Sequence, residues 1–344
     1  MQIPALLSSA QLLTLMRFIQ EARHIVLCAH RFPDGDALGS SLGLADYLRS
    51  LKKDVQVVMP NNYADFLRWM PGIKSVLLYE ERPVEAAELI HKADLVFMLD
   101  FSEMSRLQDM ATAFEGIKAK RVMLDHHLNP DPNMADLMVS VPEACSTSEI
   151  VFRVISELGG YDALSRSGAA CLYTGMMTDT GGFTYASTRP EIYQIICELL
   201  RKGIDKDRIY RHVFHNYSPH RLQFVGYVLS QKTQFYEHNR AAIMTITREE
   251  MKRYKYLRGD AEGLVNMPLQ VKGLRVVISL REDTEKEAVR VSLRSVDDFP
   301  CNEMAAQFFN GGGHRNASGG ELPFPLSEAM LTAERAIKAY ADLL

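Results

Sequence analysis

A chain of 344 residues exceeds what one hydrophobic core ordinarily supports, so two domains are expected. Hydrophobic residues make up 47% and charged residues 24%, a balance that excludes an intrinsically disordered chain. The net charge of −4 and pI near 6.2 lack the basic excess of a protein that tracks along long duplex nucleic acid, but allow a small anionic substrate at one local site.

Residues 1–22 read as an amphipathic helix carrying Gln11 and Arg17, not as a signal peptide, and no apolar run reaches the length of a membrane span. The five cysteines, Cys28, Cys145, Cys171, Cys197 and Cys301, are scattered and never spaced as C-x-x-C, which argues against a disulfide framework or a thiolate cluster. A cytoplasmic protein without a membrane partner is the expectation. From residue 24 onwards, apolar runs at 24–29, 55–59, 95–99 and 122–124 alternate with amphipathic stretches at 37–51, 84–91 and 107–117. That alternation predicts β-α-β units and a mostly parallel sheet. Helical periodicity then dominates 146–229, broken at Gly159-Gly160 and Gly181-Gly182. Strands are expected at 233–236, 241–246, 274–280 and 288–293, and helices at 302–309 and near 327–343. The fold predicted is α/β, with a larger N-terminal domain at 1–190 whose mainly parallel sheet is flanked by helices. A helical connector at 191–231 and a smaller α+β C-terminal domain at 232–344 would follow.

Four segments place acids and imidazoles directly after apolar runs or helices. The first is His30-Arg31-Phe32-Pro33-Asp34-Gly35-Asp36, where two close carboxylates repel unless a cation or proton intervenes. Asp100 follows the run at 95–99, Asp125-His126-His127 follows the run at 122–124, and Asp179 stands before the turn Thr180-Gly181-Gly182. Each alone has an ordinary explanation: Asp34 as a helix cap, Asp100 as loop chemistry, the histidines as satisfied hydrogen-bonding groups. Together they form the mixed His and carboxylate set that suits hard-to-borderline divalent ions such as Mn2+. In a parallel sheet the carboxyl ends of the strands share one edge, so these segments can converge.

The four segments, in this order, resemble the motifs of the DHH phosphoesterase family. The stretch Gly311-Gly312-Gly313-His314, preceded by Ser292-Leu293-Arg294-Ser295, is similar to the G-G-G-H region of the DHH-associated C-terminal domain. The likeness spans nearly the whole chain and is nearest to the stand-alone nanoRNase and phosphoadenosine-phosphate phosphatase branch. It implies two divalent ions, Mn2+ foremost: one held by His30, Asp34 and Asp100, the other by Asp36, Asp100, His126 and Asp179. Asp100 would bridge them, Asp125 would orient a neighbouring histidine, and His127 would face the substrate phosphate. Arg294, His314 and the backbone at Gly312 and Gly313 would bind substrate, the glycine run offering a nest of N–H groups, with Arg106 as a further candidate. The expected partner is short RNA or a dinucleotide such as pApA, cleaved to nucleoside 5′-monophosphates, with phosphoadenosine phosphate as a further substrate; a homodimer is left open. The competing readings are a cyclic di-AMP phosphodiesterase and, from another class, a nucleotide-binding module without catalysis. So many crowded acids retained without a metal argue against the latter.

Three further features receive plainer readings. Trp69 is expected to pack at a turn, His212 and His215 to lie on a connector or solvated face, and Ser146-Thr147-Ser148-Glu149 to start a helix.

Overall fold

The computed structural model describes residues 3–215, 217–236, 240–257 and 259–344. The chain forms two compact units, the first ending at residue 216 and the second running Tyr217–Leu344. No helix among the described residues is long and apolar enough to cross a membrane.

The first unit opens with α1 (Ser9–Glu21), β1 (His24–Ala29), α2 (Gly35–Ser50), β2 (Asp54–Met59), β3 (Leu77–Leu78) and α3 (Pro83–Lys92). It continues with β4 (Leu95–Leu99), β5 (Lys120–Asp125), β6 (Leu137–Ser140), α4 (Thr147–Glu157), α5 (Arg166–Asp179), α6 (Pro190–Arg201) and α7 (Lys206–Phe214). The six strands lie in the order β3-β2-β1-β4-β5-β6 and every pairing is parallel. Alternate residues face opposite ways. Leu27, Phe97 and Leu99 pack into one core with α2, α4 and α5, while Cys28, Val96 and Met98 pack into another with α3 and the segment after β4. Covering both faces explains why the runs read as continuously apolar.

The expected helix at 107–117 is instead a run of 3₁₀ turns, Met104–Phe114, broken at Gln108, which sits at φ 53°. The short strands β3 and β6 were absent from the expectation; two and four residues give little periodicity to read. The segment 191–231, expected as a connector, is divided: α6 and α7 belong to the first unit, and α8 (Pro219–Tyr227) opens the second. Trp69 stacks on His212 of α7 with ring centroids 4.8 Å apart, so both are packing residues within the first unit.

Helices α2 and α5 meet through glycines. A Cβ at Gly39 would lie 2.6 Å from the Cys171 carbonyl oxygen, and one at Gly175 would lie 2.0 Å from the Ser148 hydroxyl and 2.8 Å from the Asp36 carboxylate. No side chain fits there. The close approach brings the end of α5, at Asp179, to the start of α2, at Asp36.

The second unit contains β7 (Thr233–Tyr236), β8 (Ala241–Ile246), α9 (Arg248–Arg253), β9 (Val276–Glu282), β10 (Ala288–Ser295), α10 (Cys301–Phe308), β11 (Gly312–His314), β12 (Ala317–Pro323) and α11 (Leu326–Ala339). Its sheet runs β11-β12-β10-β9-β8-β7, antiparallel except between β8 and β9. The glycine run is therefore an edge strand and not an open nest. Gly311 packs so closely that a Cβ would lie 1.9 Å from the Gly319 carbonyl oxygen. Residues directly opposite across neighbouring strands share a face, and Arg294, Ala317 and His314 form one such row. Arg294 and His314 are thus two strands apart on the same side of the sheet.

Gly39→Ala is expected to destabilise the protein by about 1–3 kcal/mol in urea unfolding, because its new methyl meets backbone that cannot yield. Gly43→Ala should cost less, since its nearest atoms, Cδ2 and Cγ of Leu172, belong to a side chain and not to backbone. Equal costs at the two positions would refute the close-approach account.

Candidate metal centre

The strand order reverses between β1 and β4, and a parallel sheet opens a crevice at the carboxyl edge of such a switch point. Residues of the four sequence segments meet there. His30 follows β1, Asp100 follows β4, Asp125 ends β5 with His126 and His127 beyond it, Asp34 and Asp36 begin α2, and Asp179 ends α5.

Asp34 serves both as a cap and as a site group, one oxygen for each. Its Oδ1 accepts hydrogen bonds from the N–H groups of Asp36 and Ala37 at 2.9 and 3.0 Å, capping α2. Its Oδ2 lies 3.9 Å from His30 Nε2. The His30 Nδ1–H donates to the Arg31 carbonyl at 2.8 Å, and the His126 Nδ1–H donates to the Ala144 carbonyl at 3.3 Å. A carbonyl can only accept, so these contacts set the tautomer and turn each Nε2 towards the carboxylates.

Asp100 is buried and sits at φ 64°, a left-handed conformation that costs a non-glycine residue energy but is most accessible to Asn and Asp. Its Oδ2 lies 3.4 Å from His30 Nε2 and its Oδ1 lies 3.5 Å from His126 Nε2. Asp179 Oδ2 is 3.4 Å from the same His126 nitrogen. Ligand atoms of His30, Asp34 and Asp100 lie within 4.8 Å of one another, as do those of Asp36, Asp100 and His126. Asp100 alone belongs to both of these groups, with one oxygen towards each.

Asp125 makes a different contact, although its ligand atom lies within 4.8 Å of those of Asp100 and His127. It is fully buried, and its Oδ1 accepts the His127 Nδ1–H at 2.7 Å. That bond fixes His127 with Nε2 as the nitrogen that can exchange a proton. His127 packs edge-on against His126 with ring centroids 5.0 Å apart. Arg106 is exposed; its carbonyl accepts the Arg31 N–H at 2.8 Å, and it makes no ion pair among the described residues.

The start of α4 is a contribution that the capping reading did not reach. Ser146 does cap the helix, accepting the Glu149 N–H at 3.1 Å. The Thr147 and Ser148 N–H groups donate to the two oxygens of Asp36 at 2.6 and 2.9 Å, and the Thr147 hydroxyl donates to Asp100 Oδ1 at 3.0 Å. The sequence signal was the same Ser-Thr-Ser-Glu run, but its partners are more than forty residues away.

The electrostatics are those of a site built for cations. Burial, then the charges of Asp100 and Asp179, pushes Asp36 well above the usual carboxylate range. Asp179 is pushed up to about 7, by burial first and by Asp34 and Asp100, with His126 acting against the rise. Burial would raise Asp100 too, but the His126 and His30 imidazoles facing it hold it well below its ordinary value. Burial alone would lower His30, yet Asp100 and Asp34 bring it to about 9, and His126 is raised in the same way by Asp100 and Asp179. Spacings of 3.4–3.9 Å between Nε2 and carboxylate oxygen are long for hydrogen bonds and suit atoms that share a cation. The donor set of imidazole and carboxylate fits divalent ions such as Mg2+ or Mn2+.

Residues 24–176 match the family model for the DHH family, N-terminal domain, and residues 239–341 match that for the DHHA1 domain. A crystal structure of an exopolyphosphatase-related protein from Bacteroides fragilis is 46% identical, with a TM-score of 0.95 and 99% of each chain covered. The bifunctional oligoribonuclease and PAP phosphatase NrnA of Thermus thermophilus is 29% identical, over 87% of this chain and 84% of its own. RecJ in complex with Mn2+, from the same organism, shares the fold at a TM-score of 0.59 with 14% identity, covering 99% of this chain and 56% of RecJ.

The family match and the named relative, together with the cluster of acids and imidazoles at this sheet edge, define a metal-dependent phosphoesterase. The chain belongs to the DHH family, with a DHHA1 domain following the N-terminal domain.

Metal ligands must be deprotonated, so protons compete with the cation. Affinity for Mn2+ is expected to rise as pH passes through about 7, where Asp179 gives up its proton, and to keep rising towards about 9 as His30 does. Calorimetric titration in buffers of different ionisation enthalpy should show proton release on binding; affinity that is flat or falls with pH would contradict this electrostatic account.

Proposed function

We propose that this protein is a hydrolase of short oligoribonucleotides, including pApA, that releases nucleoside 5′-monophosphates, and that 3′-phosphoadenosine 5′-phosphate is a second substrate. The observation that carries the reading is Asp100, whose two oxygens face two separate groups of ligand atoms. That arrangement supports two divalent ions, with Mn2+ as the first choice. The kinship with a protein named for oligoribonuclease and PAP phosphatase activity supports the substrate class.

His30, Asp34 and Asp100 would hold one ion, and Asp36, Asp100, His126 and Asp179 the other. Divalent cations there supply the positive charge that acidifies a water and draws electron density from the phosphoryl oxygens. The protein's own residues do the rest. Asp125 holds His127 in a single tautomer, so that Nε2 can stabilise or protonate an oxygen of the substrate. Arg294 offers a planar fork to a phosphate, and His314 lies on the same face of its sheet. Arg106 is the remaining candidate for a substrate phosphate, and the exposed backbone of Gly312 allows close approach to that edge of the sheet.

A hydrolysis panel with Mn2+ and chelator controls tests the proposal: pApA, a pentaribonucleotide, phosphoadenosine phosphate, cyclic di-AMP, pyrophosphate and long single-stranded DNA. The first two are expected to be cleaved fastest, and chelator to abolish turnover. Preference for long DNA, or activity that survives chelation, would overturn the proposal. Cyclic di-AMP as the fastest substrate would favour the alternative cyclic-dinucleotide reading. Asp100→Ala should lower kcat by roughly 100-fold or more, the equivalent of about 3 kcal/mol. Arg294→Ala should act mainly on KM, raising it about 10-fold, the worth of one charge-assisted hydrogen bond.

A further inference from the structure

We infer that Thr147 is a positioning residue for the carboxylate shared by the two ligand groups, an inference that rests on reading the cluster as a metal centre. Asp100 stands in a strained conformation between His30 and His126, and its carboxylate can rotate about its own bond unless something fixes its plane. None of the histidine contacts, at 3.4 and 3.5 Å and at 3.8 Å from His127, is close enough to do so. The one short bond to the Asp100 carboxylate among those described is the Thr147 hydroxyl, at 3.0 Å to Oδ1. Thr147 is fully buried, so no water competes for that bond.

The same turn of helix fixes a second carboxylate. Backbone N–H groups of Thr147 and Ser148 hold both oxygens of Asp36, at 2.6 and 2.9 Å. One rigid element therefore sets the planes of two acids that repel each other. The turn is itself anchored. Glu149, fully buried, accepts the Cys145 N–H at 2.8 Å and the Arg153 guanidinium at 3.3 Å. Arg189, at the entrance to α6, donates to both Glu149 oxygens at 2.6 and 2.5 Å. Oriented supporting groups of this kind commonly tune affinity at metal sites by about 10- to 100-fold.

The role divides between hydroxyl and backbone, which makes it testable. Thr147→Val keeps the shape and the N–H but removes the hydroxyl, while Thr147→Ser keeps both donors. Mn2+ binding is measured by calorimetry and by electron paramagnetic resonance, alongside kcat at saturating metal and the melting temperature of chelator-treated protein. The valine variant is expected to bind Mn2+ about 10-fold or more weakly, with an altered resonance spectrum, and to stay folded without metal at a melting temperature lowered by the loss of one buried hydrogen bond. The serine variant should bind like wild type. If valine does not fold, Thr147→Ala gives the same comparison. Wild-type affinity in the valine or alanine variant, or a serine variant as impaired as valine, would overturn the inference and leave the metal centre standing. Failure of the wild-type protein to bind divalent metal would overturn both.

Discussion

Three buried or half-buried carboxylates, Asp36, Asp100 and Asp179, are gathered around His126 at one sheet edge, and this crowding is the constraint on which the first unit depends. Like charges at such separations oppose folding unless protons, imidazolium or a cation intervene. The chain answers with geometry before chemistry. Glycines let α2 and α5 close to backbone contact, which is what delivers Asp179 to the start of α2. The beginning of α4 then accepts Asp36 with two backbone N–H groups, in the sense that its dipole favours.

The histidines are arranged by the same economy. His30 and His126 each spend Nδ1 on a backbone carbonyl, and so each presents Nε2 to the carboxylates. His127 spends Nδ1 on the buried Asp125 instead. The second partner of each ring therefore separates His127 from His30 and His126. Asp125, which opens the Asp-His-His run, turns one carboxylate oxygen to its neighbour two residues on.

In the second unit the sheet, not a loop, carries the candidate substrate groups. Arg294 and His314 share a row because β10, β12 and β11 pair in a register that puts both opposite Ala317. Two of the three glycines between Phe309 and His314 serve this pairing: Gly311 and Gly313 lie too close to β12 for any side chain. Their task is to let an edge strand lie flat against its neighbour, which differs from the anion nest that a glycine run suggests in isolation.

The sequence by itself determined the class of the fold and the parallel first sheet and marked the candidate ligand residues, because apolar runs and the residues that follow them are local signals. Asp34, Asp100, Asp125-His126-His127 and Asp179 stood out since each directly follows a strand or marks a helix end. What local pattern cannot hold is partnership across the chain. That Thr147 reaches Asp100 and that Arg189 steadies Glu149 are decided by helix packing over long sequence separations. The short strands β3, β6 and β11 escaped for a related reason: two to four residues carry no period, and only neighbouring strands make them strands. Chemistry was written in residue types, whereas orientation came from the tertiary contacts that fix each donor and acceptor.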